Sequence, residues 1–245
     1  MKKIISLLLV FALCVGAVCV LAACNDNTVE VNITNPPEMP SENPEIQIAG
    51  GWQINTETAG CDMPEGARGA FERAMSELDG AIYTPIAYLG SQVVAGTNYA
   101  FLCRTELVTE EPVISLSLVT VYNSLDGNAS IREIVDVRIA DYTENEDLDF
   151  NSALVGAWTP VADYPAKLSE EDQAAFDAAM EGLAGVDYTP LALMGTQLVA
   201  GRNLAFLCCA QSVTPDSAAV LAVVVVYAAL DGTAEVTSIS PISIG

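Results

Sequence analysis

Apolar residues follow a helical period at two places in the chain. They fall at positions i, i+3, i+4 and i+7, as Phe71, Ala74, Met75 and Leu78 and again as Phe176, Ala179, Met180 and Leu183. Such a stripe is typical of an amphipathic helix. Pro64 precedes the first stripe, and Ser169 with Asp172 forms a capping-box pattern before the second. The pattern predicts two helices, each with one apolar face to cover.

Alternating or continuous apolar runs follow each helix and predict strands. The predicted strands are residues 84–89, 97–107, 113–122 and 130–139 in the first half, and 189–194, 202–211, 219–227 and 236–244 in the second. Asp126-Gly127, between two of these runs, is a strong hairpin pattern. One helix followed by consecutive hairpins predicts the α+β fold class, with an antiparallel sheet wrapped around one helix.

The second half of the chain repeats the first at a constant offset of 105 residues, so that Tyr122 recurs as Tyr227. The tryptophans Trp52 and Trp158 are out of step by one residue. Two copies in one register predict two domains of the same fold. The predicted domains are residues 46–142 and 154–245, joined by an acidic linker at 143–153 whose carboxylate spacing matches no EF-hand loop.

The N-terminal region has the pattern of a targeting segment. Lys2 and Lys3 precede an apolar run that ends in Leu21-Ala22-Ala23-Cys24, which indicates a secretory signal peptide at 1–23. Its end resembles a bacterial lipobox, and this resemblance implies that Cys24 carries a lipid. The polar, proline-containing stretch 24–45 predicts a solvated tether. We therefore expect the chain to be lipid-anchored on the extracellular face of the bacterial cell membrane.

Charge and composition exclude several classes of function. The 245-residue chain has 9 Lys and Arg against 32 Asp and Glu, a net charge of −23, and no histidine. A surface this acidic repels nucleic acid and anionic headgroups. The lack of histidine removes Ser-His-Asp and Cys-His catalysis and most zinc sites, and the carboxylates sit mostly where a solvated role is expected. We expect no enzyme activity, no cofactor, no metal and no small-molecule substrate.

Apart from Cys24, the cysteines outside the signal peptide divide into three groups. Cys103 and Cys208 occupy the same place in the two copies and alternate with core-type residues, so both are expected to point into a core. Cys61 has no counterpart in the second copy, and a Cys61–Cys103 disulfide stays open because connectivity cannot be read from sequence. Cys209 follows Cys208 on the opposite strand face, where we expect it to be exposed.

One motif occurs in both copies at the predicted first hairpin. Gln92-Val93-Val94-Ala95-Gly96 returns as Gln197-Leu198-Val199-Ala200-Gly201. Its glycine allows a positive φ or a close approach to another surface. An apolar hairpin tip has no core to enter, so the motif predicts a partner that receives it.

The first copy of this motif, continued by Thr97-Asn98-Tyr99, resembles the first hairpin loop of the cystatins, which inhibit papain-like cysteine proteases. The resemblance implies two tandem cystatin-like domains. It also implies a non-covalent wedge that fills the protease cleft, built from a glycine-bearing N-terminal segment and two hairpin loops. The protease-binding residues it implies are, in the first copy, Gly50, Gly51, Trp52, Gln92, Val93, Val94, Ala95, Gly96, Leu125, Asp126 and Gly127, and in the second, Gly156, Trp158, Gln197, Leu198, Val199, Ala200, Gly201, Leu230, Asp231 and Gly232.

The chain departs from the family pattern at several of these positions. Many cystatins carry Pro-Trp in the second loop, and neither copy has it. Asp126 and Asp231 replace the proline of the stefin-type loop, and Arg202 stands where the first copy has Thr97. These departures predict a lower affinity, more so for the second copy.

Two functional hypotheses follow. The leading one is a surface-anchored inhibitor of a papain-like cysteine protease with two binding heads. The alternative is a non-inhibitory binding module that serves adhesion or spacing. Separately, packing over the sheet edge stays open for Trp52 and Trp158 beside contact with a target. The hypotheses differ in whether the three segments of each copy converge on one edge of the domain.

Overall fold

A computed structural model describes residues 50–56, 63–143, 156–161, 168–214 and 217–245, all within one compact unit. The signal peptide, Cys24, the tether, Cys61 and most of the acidic linker lie outside the described residues, so the predictions about them stay predictions. Within the described ranges, no helix has the length and apolar character needed to cross a membrane.

The first repeat forms a five-stranded antiparallel sheet in the order β1-β2-β3-β4-β5, with one helix. Its elements are β1 (Trp52–Ile54), α1 (Glu65–Met75), β2 (Ala81–Val94), β3 (Gly96–Leu107), β4 (Ile114–Asn123), β5 (Ala129–Val137) and a short 3₁₀ helix (Ile139–Tyr142). β2 is longer than predicted because the chain stays paired with β3 from Ala81 up to Val94 at the hairpin turn.

The second repeat forms a sheet of the same topology, in the order β10-β9-β8-β7-β6. Its elements are β6 (Trp158–Pro160), α2 (Glu170–Met180), β7 (Val186–Val199), β8 (Gly201–Ser212), β9 (Val220–Ala228) and β10 (Ala234–Ile242). The predicted cap of the second helix is confirmed, since the Ser169 side chain accepts a hydrogen bond from the Asp172 backbone N–H at 3.1 Å.

The two sheets share one hydrophobic core. Inward-facing residues from both repeats, among them Leu102, Leu118, Leu207 and Val223, form a single buried cluster that contains no residue of α1 or α2. Trp158 belongs to this cluster, and Trp52 packs against it. The repeats are therefore two halves of one unit, because each sheet covers the face that the other would leave in water.

Each helix covers the other face of its own sheet. Phe71 of α1 packs edge-to-face on Phe101 with ring centroids 4.9 Å apart, and Phe176 of α2 packs on Phe206 in the same way at 5.0 Å. The order of layers is helix, sheet, sheet, helix. This arrangement buries the middle strands on both faces.

The positions of the cysteines follow from these layers. Cys103 and Cys208 lie in the two helix-facing clusters, so the prediction that they point into a core is confirmed. The prediction that Cys209 is exposed is wrong, because its strand face packs against the other sheet and only 3% of the residue is accessible. Cys103, Cys208 and Cys209 carry free thiols, and burial raises the pKa of each.

The predicted fold class, α+β with two tandem cystatin-like domains, is also wrong. The described chain is mostly β, with ten strands in two antiparallel sheets and two helices of 11 residues each. Each sheet does pack one helix, as predicted. The prediction failed on the second face of each sheet, which it left in solvent and which the structure buries against the other sheet.

Candidate functional site

The three predicted segments of the first repeat lie side by side at one end of its sheet. The Gly50 N–H donates to the Val93 carbonyl at 3.0 Å, and Trp52 pairs with Gln92 where β1 meets β2. On the other side of the hairpin, Thr97 pairs with Asn123 at the end of β4. We call residues 50–52, 92–97 and 123–128 the first edge.

The second repeat brings its own three segments together in the same way. Trp158 pairs with Gln197, and Arg202 pairs with Ala228 at the end of β9. We call residues 156–158, 197–202 and 228–233 the second edge. Together the two edges hold all the candidate site residues that the resemblance implied.

The glutamine of the repeated motif acts inside the edge. Gln92 Nε2 donates to the Gly50 carbonyl at 3.0 Å, and Gln92 Oε1 accepts from Asn98 Nδ2 at 2.6 Å. Gln197 makes the same two bonds, to the Gly156 carbonyl at 2.7 Å and with Asn203 Nδ2 at 2.5 Å. The glutamine therefore ties the N-terminal segment to the hairpin. This role of the asparagine was not predicted, although Asn98 recurs as Asn203 at the common offset.

A tyrosine fixes the tip of each first hairpin loop. The Tyr122 hydroxyl donates to the Ala95 carbonyl, and the Tyr227 hydroxyl donates to the Ala200 carbonyl at 2.6 Å. Each bond crosses from the end of one strand to the loop of the neighbouring hairpin. The recurrence of Tyr122 as Tyr227 was visible in the sequence, but this role was not, since only the sheet register brings ring and loop together.

The glycine that ends each motif is required by a close approach. Gly96 has φ 127°, and a Cβ there would lie 2.5 Å from the Asn123 carbonyl oxygen. Gly201 also has φ 127°, and a Cβ there would meet the Ala228 carbonyl oxygen. Any larger residue would push the first hairpin away from the strand that carries the second loop.

The second loop of each edge is a turn held by its own aspartate. Asp126 accepts hydrogen bonds from the Ser124 hydroxyl and from the backbone and side chain of Asn128. Asp231 accepts from the hydroxyl and backbone N–H of Thr233, at 2.7 and 3.0 Å. These hydrogen bonds lower the pKa of both carboxyl groups. The largest contribution comes from the Ser124 hydroxyl at Asp126 and from the Thr233 hydroxyl at Asp231. The aspartates that replace the expected proline thus stabilise the turn.

Apolar side chains remain exposed at the tips. Leu125 and Leu230 are each 87% exposed, and Leu198 is 77% exposed. The smaller tip residues Val94 and Val199 are 40% and 42% exposed. Exposed apolar side chains on loops that are fixed from behind are a surface suited to binding another protein.

The two tryptophans are less exposed than the loop tips. Trp158 is only 3% accessible and lies in the core between the sheets. Trp52 is half-buried against that core, and its Nε1 donates to the Gly245 carbonyl at 3.2 Å. Their placement fits the alternative considered above, in which they pack over the sheet edge.

The surroundings of the two edges differ. At the first edge, Arg73 of α1 donates to Asn123 Oδ1 at 3.0 Å and so joins helix to loop. At the second edge Ala228 stands in place of Asn123, and an open groove of about 590 Å³ separates α2 from the loops, lined by Ala174, Ala175, Leu198, Ala229, Leu230 and others. There Arg202 pairs with Glu171 at 2.7 Å and Asp172 at 3.2 Å.

The chemistry available at these edges is recognition of a surface. Among the described residues, no group of three or more Cys, Asp or Glu side chains is arranged to hold a metal ion. What the edges offer is apolar tips, aspartates and backbone held in fixed positions.

Comparison with known proteins gave no matching family model and no matching curated protein, so the resemblance to cystatins stays a prediction.

Proposed function

We propose that the edges of this chain bind papain-like cysteine proteases and block their active-site clefts. The observation that carries the proposal is the convergence of three segments on one edge of each sheet, with apolar tips exposed and backbone fixed from behind. This convergence is what separates a wedge from a chance match of one loop motif.

The fixed backbone matters for affinity. Hydrogen bonds from Tyr122 and through Gln92 and Asn98 hold the first hairpin in one conformation before any partner arrives. A preorganised loop loses little conformational entropy on binding. The apolar tips then exclude water from the cleft, and inhibition needs no reactive side chain on this chain.

The edge residues divide into contact residues and positioning residues under this proposal. Val94, Ala95 and Leu125 are exposed and would touch the protease. Gln92 and Gly96 position those tips. Because Asp126 is fully exposed and its pKa is lowered, the second loop presents a negative charge beside an apolar tip, so a cleft with a basic rim is favoured.

The proposal includes the expected location of the protein. A chain held by a lipid on Cys24 and carried on the tether would act against proteases that approach the outer face of the cell membrane. Its high negative charge would speed encounter with a basic partner at low ionic strength.

A non-inhibitory binding or spacer module is the second candidate, and one observation favours it. Gln92, Gln197 and Trp158 all make internal contacts, so the fold alone accounts for part of the repeated motif. Under this reading the exposed leucines bind a different protein surface.

Titration of papain with the full chain tests the proposal. We expect stoichiometric inhibition, and we expect Leu125→Asp combined with Leu230→Asp to weaken it at least about a hundredfold, since a charge would enter an apolar contact. The matched control is Val135→Asp, which places the same charge at a 44% exposed valine on β5, outside the segments that form the two edges. Thermal melting of each variant monitors folding.

Two results would contradict the proposal. The first is absence of inhibition by a folded chain across several papain-like proteases. The second is equal loss of inhibition in the tip variant and the control, because the tips would then have no special part. Either result leaves the non-inhibitory module as the better account.

A further inference from the structure

The relative direction of the two edges can be read from the chain path. The first edge holds the start of β5, where Ala129 pairs with Asn123. β5 then runs away from that edge for nine residues, about 30 Å, and leads into the 3₁₀ helix Ile139–Tyr142. This helix therefore marks the end of the first repeat that lies opposite the first edge.

That opposite end lies close to the second edge. The Ser238 hydroxyl, four residues into β10, donates to the Tyr142 carbonyl at 2.6 Å. Thr143 lines a cavity of about 560 Å³ together with Trp158, Gln197 and Val199 of the second edge. The far end of the first repeat and the second edge are thus at the same end of the unit.

The reciprocal contact exists at the other end. β10 runs away from the second edge and leads towards Gly245, whose carbonyl accepts the hydrogen bond from Trp52 Nε1 of the first edge. Gly245 also lies against the carboxylate of Glu133 on β5. Each edge is therefore next to the far end of the other repeat.

From this geometry we propose that the chain binds two partner molecules at once, one at each end, and so bridges them. The inference rests on the function proposed above. A typical partner covers about 800 Å² of a protein surface. Two such footprints, placed at opposite ends of the unit, do not overlap.

Bridging has a consequence that single-site inhibition lacks. The tips of the hairpins are held by hydrogen bonds within their own repeat, from Tyr122 to Ala95 and from Tyr227 to Ala200, so we expect occupation of one edge to leave the tips of the other unchanged. The two binding events should therefore be independent, with affinities that do not depend on order of binding. A chain fixed at a surface would hold two proteases together as one complex.

The experiment measures how many papain molecules the full chain binds. Papain with its active-site thiol blocked by a small methylthio group serves as the probe, so that no proteolysis occurs. Isothermal titration gives the stoichiometry, and light scattering gives the mass of the complex. Two single-edge variants accompany the native chain, Val94→Asp with Leu125→Asp for the first edge and Leu198→Asp with Leu230→Asp for the second, all at exposed positions.

The expected result is two papain molecules per native chain and one per single-edge variant, a twofold drop in capacity. The inference is overturned if the native chain binds one papain while each single-edge variant also binds one, because the edges then obstruct each other. It is also overturned if one single-edge variant binds none and the native chain binds one, because one edge is then inactive. In both cases the proposed inhibition survives. Absence of binding by all three folded chains instead defeats the proposed function itself, and the inference with it.

Discussion

The first and second edges share a framework and differ in what they present. In both, a glutamine, an asparagine, a tyrosine and a glycine make the same contacts with backbone and with each other. Around this framework the side chains change, with Asn123 beside Arg73 at the first edge and Ala228 beside an open groove at the second. The residues that fix the backbone are repeated, and so are the exposed tips Leu125 and Leu230, while several residues around them differ.

The link between helix and edge also differs. At the first edge the cation comes from the helix, because Arg73 reaches Asn123. At the second it comes from the strand, since Arg202 reaches Glu171 and Asp172 of α2. The second edge exposes more apolar surface, through Leu198. The lower affinity that the departures from the family pattern predict for the second copy stays a prediction.

The largest expected effect tests whether the shared framework is equally necessary in both repeats. Gly96→Ala and Gly201→Ala should each lower the free energy of unfolding by about 3 kcal/mol, because a Cβ would meet a carbonyl oxygen of the next strand and the φ is positive. Gly127→Ala is the control, with positive φ and open space, and should cost about 1 kcal/mol. Urea denaturation measures all three. Equal costs for Gly96→Ala and Gly127→Ala would contradict the close approach.

The two helix links should differ in strength. Arg202→Met should cost about 1–2 kcal/mol of stability, because it leaves the carboxylate of Asp172, only 12% exposed, without its cation. Arg73→Met should cost about 0.5 kcal/mol, because the bond it removes is exposed. Chemical denaturation at low and high salt checks both values. A larger loss for Arg73→Met would reverse the proposed contrast.

Tyr122 and Tyr227 should contribute equally to the stability of the fold. Tyr122→Phe and Tyr227→Phe each remove one hydrogen bond to a loop carbonyl and should cost about 1 kcal/mol. We also expect faster amide hydrogen exchange in the loop next to the substituted tyrosine, and unchanged exchange in the other repeat. Faster exchange in both repeats would mean that the edges are coupled, against the independence inferred above.

The smallest expected effect is that of low pH on the turns that contain Asp126 and Asp231. The folded pKa values of Asp126 and Asp231 are lowered, so both carboxylates stabilise their turns above the ordinary aspartate pKa, and that contribution is lost as the pH falls through the folded values. Lowering the pH from about 6 through the ordinary aspartate pKa and on through the folded values should therefore loosen both loops. The first should respond more, because Ser124 and Asn128 both donate to Asp126. Amide exchange in Asp126→Asn and Asp231→Asn chains measures the difference, and an equal acid response in native and substituted loops would refute it.

Local elements of the fold were predictable because their determinants are close in sequence. The helical stripes containing Phe71 and Phe176 gave both helices, although Leu78 and Leu183 fall beyond their ends. The repeat offset gave two sheets of one topology. The short strands β1 and β6 were missed, because three residues carry too little pattern and their pairing partners lie about 40 residues further along the chain.

The apolar pattern of one strand indicates the contact between the sheets, but the strand prediction did not use it. β9 contains the continuous apolar run Leu221-Ala222-Val223-Val224-Val225-Val226, all buried. A strand with one face in water alternates, whereas a strand buried on both faces reads as continuous. Cys209 was placed in solvent for the same reason, since one covered face was assumed for each sheet.

The candidate site was likewise predictable from the sequence only in part. Sequence alone located the segments of both edges, because the Gln-to-Gly motif and the Leu-Asp-Gly turns are contiguous and occur twice. It gave no means of telling Leu125, which faces solvent, from Trp158, which is buried in the shared core. That difference depends on which sheet face receives a partner.

The sequence by itself determined two helices, most of the strands, the twofold repetition and the turn chemistry, because each depends on residues near one another in the chain. Only the tertiary structure decided that the repeats join through one core and that the two edges are at opposite ends. It also decided that Gln92 and Tyr122 hold the first edge together by internal hydrogen bonds. Those features arise from contacts such as Trp52 with Gly245, which join residues 193 positions apart. The physical reason is that burial of apolar surface is non-directional, so local patterns specify that a face must be covered without specifying what covers it.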